Sequence, residues 1–148
     1  MGYLLLSFFL VIYTLSDFYI GQENVNQENK EIIVVTTQRA TETIRYIDAI
    51  NDYIYDHPEI VNSTDEIVLS DSMIGMKPGF GIRHVIWMQR VYVWQYPQPG
   101  LTEALMRQTN SSALLGTISK HQLIDLQGNS MQVSVPASLP DHSVVYLN

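Results

Sequence analysis

The chain has no cysteine. That excludes a disulfide framework, a thiolate metal site and a cysteine nucleophile. Positive charge is also scarce: Lys and Arg total 8 against 15 Asp and Glu, a net charge of −7. A nucleic-acid binder needs a basic face to neutralise phosphates, and adsorption to anionic lipid needs a polybasic patch. Neither is present, so no nucleic-acid partner is expected. Catalytic signatures are missing as well. There is no GxSxG, no HExxH and no GxxxxGK[ST], and the glycines of Lys77 to Gly81 open no phosphate-binding helix. The 4 histidines, His57, His84, His121 and His142, never fall at metal-helix spacing. His84, within a strand-like run, reads as a residue satisfied by its surroundings rather than a ligand. No catalytic residue, cofactor or metal ion is assigned, and the chain is expected not to be an enzyme.

Long apolar runs are absent too, except at the start. Tyr3 to Ile20 reads YLLLSFFLVIYTLSDFYI, with no Lys or Arg before Lys30. An apolar run of roughly 18 residues is long enough to cross a bilayer as a helix. It has no basic leader and no small-x-small cleavage site, so residues 1–20 are expected to be a retained transmembrane anchor. Residues 21–31, GQENVNQENK and Glu31, form a polar neck, either flexible or a solvated continuation of the helix. Residues 32–148 are then expected to be one domain, placed in the periplasm of a single-pass inner-membrane protein. About 115 residues suffice for one core and not for two.

Within that domain Ile33 to Tyr55 has helical periodicity. Ala40, Ile44, Ile47, Ile50 and Ile54 share a face, with Arg39, Glu42, Arg45, Asp48 and Asp52 mostly opposite. Pro58 pushes the residue before it out of the α region, so His57 is the expected last position. Asp48, Asp52 and Asp56 form an i, i+4 acidic stripe. It reads as a solvated face and a candidate docking surface rather than a cation site, because hard cations usually draw ligands from a loop.

Glu66 to Leu69 is a short strand candidate. Lys77 to Gly81 is a loop in which Lys77 and Phe80 are further candidates for partner contact. Ile82 to Gln95 is rich in Val, Ile, Trp and Tyr and is expected to fold back near Met88 to Arg90 as a hairpin. Leu101 to Thr109 is a second, short helix carrying Leu105. Thr117 to Leu126 leads through a Gln127–Ser130 turn into Met131 to Val135 as a second hairpin. Ser143 to Leu147 is a terminal strand. The sum is an α+β domain: a long amphipathic helix on an antiparallel sheet, plus a short helix. The expected core comprises Ile44, Ile47, Ile50, Ile54, Trp94 and Leu105. The aromatics Trp87, Tyr92, Trp94 and Tyr96 are core by default. An exposed stripe would instead suggest a membrane-tethered binding module built on the Trp87/Trp94 region.

Several short pieces occur in a telling order. They are Tyr53-Ile54-Tyr55-Asp56-His57-Pro58, Val91-Tyr92-Val93-Trp94-Gln95, Pro99-Gly100-Leu101, Ser111-Ser112-Ala113-Leu114-Leu115-Gly116, and the closing Val135-Pro136, Leu139-Pro140 and Ser143-Val144-Val145-Tyr146. With the apolar N terminus they resemble, over nearly the whole chain, the PilM family of small inner-membrane proteins of type IVB (thin, conjugative-type) pilus systems. The resemblance implies a non-enzymatic component of pilus assembly. Its partners would be other inner-membrane and periplasmic pilus proteins and, as a further candidate, pilin; homo-oligomer formation is left open. It carries over no catalytic residue. The layout is also pilin-like in outline, which makes a minor pilin or pseudopilin-like fibre subunit the alternative. Against that, the chain has no basic leader, and its first glutamate is Glu23, beyond the apolar run.

Overall fold

The computed structural model describes the backbone of residues 2–148 and the side chains at positions 7, 9–13 and 29–148. One helix, α1, runs Gly2–Asp56 without interruption, so the neck at 21–31 is helical. A 3₁₀ turn follows at Pro58–Asn62, with His57 in front of it in a non-helical conformation. The remaining elements are α2 (Asp71–Ile74), β1 (Arg83–Trp87), β2 (Arg90–Gln95), α3 (Leu101–Gln108), β3 (Leu115–Ser119), β4 (Gln122–Asp125) and β5 (Val144–Leu147).

The chain divides into two compact units, residues 1–35 and 36–148. In the first unit the helix exposes Phe9 to Tyr13 and Ile32 to Val35. The expected transmembrane anchor over residues 1–20 is corrected by the structure. Among the described residues, no helix is long and apolar enough to cross a membrane. Met1 lies outside the described residues, as do the side chains at 2–6, 8 and 14–28. The single-pass inner-membrane placement with a periplasmic domain, which rested on that anchor, is corrected with it.

The second unit is α+β. Its five strands form one antiparallel sheet in the order β1-β2-β5-β3-β4. The last strand in sequence therefore sits in the middle, joining two hairpins. One sheet face is covered by helices. Tyr46, Ile47 and Ile50 of α1 pack with Leu69, Ile74, Ile82, Ile86, Val91 and Val93. Ala40 packs with Leu101, Ala104 and Leu105 of α3 and with Leu115 and Val144. The opposite face, with Val85, Tyr92, Trp94, Ile118, Leu123, Val145 and Leu147, is closed by Val135 and Leu139 from an irregular segment. Both faces are buried, which is why apolar residues fall at odd and even positions of β1 and β2 alike.

The first hairpin turns where the sequence predicts. Arg83 pairs with Trp94 and Trp87 with Arg90, leaving Met88 and Gln89 as a two-residue turn with φ of 46° and 61°. The second hairpin turns elsewhere than expected. β3 reverses into β4 at Lys120 and His121, both at positive φ, before the expected turn at Gln127–Ser130. Beyond that, Met131 to Val135 forms no strand and is held by one bridge, Ile124 to Ser130, and by the Met131 N–H donating to the Leu123 carbonyl. The Glu66–Leu69 candidate likewise reduces to one bridge, Ile67 to Ile86.

Candidate functional site

Of the core residues expected from hydropathy, Ile47, Ile50, Trp94 and Leu105 are buried, while Ile44 and Ile54 are half-buried. The buried line of α1 passes through Thr36, Arg39, Ala40, Thr43, Tyr46, Ile47 and Ile50. It includes residues that hydropathy assigns to the solvent side. Arg39, placed on the polar face by periodicity, is 9% exposed. Its Nε donates to Gln95 Oε1 at 2.6 Å, and the Gln95 amide donates to Thr43 Oγ1 at 2.8 Å. The Thr43 hydroxyl in turn donates to the Arg39 carbonyl at 2.8 Å. Burial lowers the Arg39 pKa from its ordinary value, yet the group stays charged because its starting point is so high. This closed loop of bonds ties α1 to β2.

Asp48, Asp52 and Asp56 are all exposed, as are Lys77 and Phe80. The loop carrying Phe80 is fastened at Arg39, whose guanidinium lies 6.0 Å from the Phe80 ring, and at Glu42, whose carboxylate accepts the Gly79 N–H. Asp48 begins more than a helical turn further along α1. The aromatic strand is mostly inward. Tyr92 and Trp94 are buried, the Tyr92 hydroxyl donates to the Ser134 carbonyl, and the Trp87 indole N–H donates to the Thr64 carbonyl. No exposed aromatic stripe results. Among the described residues, no group of three or more His, Asp or Glu side chains could hold a metal ion.

The feature periodicity did not single out is a hollow at the outer edge of β1. It has a volume of about 340 Å³ and straddles the strand: Tyr46, Leu69 and His84 on the helix side, Val85 and Trp94 on the other, Val68, Asp71 and Arg83 at the rim. His84 is its centre. The Leu69 N–H donates to His84 Nε2 at 2.9 Å, and His84 Nδ1 lies 2.7 Å from the Tyr46 hydroxyl. Since Nε2 accepts, the neutral ring carries its proton on Nδ1 and donates it to the Tyr46 oxygen. Burial pushes the His84 pKa down from 6.5 to about 4, against the opposite pull of the Asp71 carboxylate. Burial, with Asp71 adding to it, pushes Tyr46 up to about 12. Both rings are therefore neutral across the physiological range. The Arg83 guanidinium lies 5.5 Å from the Trp94 ring centre. The one sequence signal for this hollow was a histidine alternating with isoleucines at 82 and 86. Its partners Tyr46 and Leu69 are far away in the chain.

The PilM family model matches residues 10–147. The chain belongs to the PilM family. A crystal structure of a PilM protein from Escherichia coli B7A superposes with a TM-score of 0.67 and 36% identity, covering 78% of this chain and 92% of that one. A second, from Pseudomonas aeruginosa 2192, has a TM-score of 0.41 and 19% identity over 76% of this chain and 94% of its own, a likeness too loose to carry an argument. None of the curated proteins matches significantly. PilM membership makes the chain a pilus-related protein. In PilM terms, the Leu114-Leu115-Gly116 piece has a physical reason. A Cβ on Gly116 would meet the Ile124 carbonyl oxygen at 2.5 Å, so the close approach of β4 admits only glycine there.

Proposed function

We propose that the chain is a non-enzymatic component of a type IVB pilus assembly apparatus that works through protein–protein contacts. The observation that carries this reading is the family match, which spans residues 10–147 and so includes nearly the whole α+β unit. The site chemistry is consistent with it. Buried polar side chains are hydrogen-bonded within the domain: Arg39 to Gln95, Gln95 to Thr43, and His84 to the Tyr46 hydroxyl and the Leu69 N–H. Among the described residues, no buried side-chain polar atom is left without a hydrogen-bond partner. The partners proposed are other proteins of the apparatus, with pilin as a further candidate.

The test is photo-cross-linking at the exposed Asp52 position in cells carrying an intact pilus operon, read by mass spectrometry. Cross-links to assembly proteins are expected. Cross-links to pilin alone would move the assignment to a fibre subunit or pilin chaperone, and cross-links to no pilus protein in piliated cells would overturn it.

A further inference from the structure

β1 is an edge strand, and among the described residues its outer side is paired at one point, where Ile67 and Ile86 exchange both backbone bonds at 2.8 and 2.9 Å. In an antiparallel ladder the outward-facing residues alternate, so the backbone N–H and C=O of His84 point to the same outer side as those of Ile86. Continuing the Ile67–Ile86 register would set Leu69 opposite His84. The chain departs from that path: the Leu69 N–H goes to the His84 ring instead. The departure leaves the His84 backbone pair without a strand partner among the described residues, at the place where the 340 Å³ hollow crosses the edge.

We propose that this edge takes a short extended segment of a partner protein, which adds to β1 opposite His84 and seats an apolar side chain in the hollow. The inference deepens the protein-contact reading above and rests on it. Three observations specify the occupant. The His84 and Tyr46 side-chain atoms are already bonded, so what His84, itself only 4% exposed, leaves unbonded at the hollow is a backbone donor and acceptor side by side, which an extended backbone matches. The walls are largely apolar, with Val68 at the rim 68% exposed. Of the two charged rim residues, Arg83 lies over Trp94, and Asp71 is exposed. On a chain of net charge −7, that favours a segment with a basic residue beside its apolar one. A small-molecule site would instead need convergent unbonded polar side chains.

The experiment is selection of a random 12-residue phage peptide library on the full chain. The winner is then synthesised with a single N-methyl group moved along its backbone. Affinity is read from peptide fluorescence anisotropy, with the emission of Trp87 and Trp94 as a second readout. Winners should alternate apolar residues and carry a basic one. N-methylation at one position should weaken binding at least about tenfold, removing a backbone bond without touching a side chain. Val68→Lys and Asp71→Asn, both at exposed positions, should each weaken binding several-fold with an unchanged melting temperature. No winners, winners indifferent to N-methylation, or winners indifferent to both substitutions would overturn the proposal. So would a dimer in sedimentation equilibrium that Val68→Lys dissociates, since a second copy would then be the occupant. Failure here leaves the pilus cross-links untouched, so the two readings fall separately.

Discussion

His84 shows how much one side chain can set. Its ring is folded neutral with a pKa near 4, whereas the unfolded chain takes up that proton near 6.5. Between those values the unfolded state binds more protons, so stability falls as pH drops through the window. The full effect is on the order of 3 kcal/mol. Denaturant melts at pH 7 and pH 5 should show about 2 kcal/mol of this loss, and His84→Asn should flatten the slope. Gly116 is the second such position. Gly116→Ala forces its methyl against the Ile124 carbonyl, and a loss of about 1–3 kcal/mol is expected in the same assay. Neither role is legible in the sequence. An isolated histidine in an apolar strand says only that it must be satisfied; the groups that satisfy it sit 15 and 38 residues away. Leu105 and Ile50, by contrast, are buried where hydropathy alone places them.

At the scale of elements, periodicity locates α1 within the domain but sets its buried face a little off. It misses Tyr46, Thr43 and Arg39 as interior residues because hydropathy scores a side chain by itself. Thr43 and Arg39 are interior because they bond each other and Gln95. Gln95→Leu would leave the buried Arg39 Nε without its acceptor, while the other side of the guanidinium keeps the Tyr96 carbonyl. A cost of about 2–3 kcal/mol is expected from chemical denaturation, and the double variant with Arg39→Met should recover part of it. The hairpin turns differ in the same way. Met88-Gln89 is legible because the apolar run is too long for one strand. Lys120-His121 is not, because neither residue is the usual Asn or Gly of a turn at positive φ. Replacing Met88-Gln89 by Asn-Gly should relieve left-handed strain and stabilise by about 1 kcal/mol, seen as a raised melting temperature.

For the whole molecule, every buried residue among those described lies at Thr36 or later. A chain beginning at Thr36 should therefore keep a cooperative thermal transition within a few degrees of the full chain, checked by calorimetry. Loss of the transition would show that the preceding helix is needed for folding. The α+β class and the overall run of elements follow from periodicity and turn residues. The order of strands in the sheet does not, because nothing local tells Val144–Leu147 to lie between β2 and β3.

That central place for β5 bears on synthesis. As the chain emerges, both hairpins can form before residues 144–147 arrive, and until then each has an inner edge of N–H and C=O groups with no strand between them. The nascent protein thus spends its assembly with two sticky edges exposed, the situation in which strands of neighbouring chains pair by mistake. A chain cut before residue 144 is thus not a slightly shortened sheet but two hairpins with the strand between them missing.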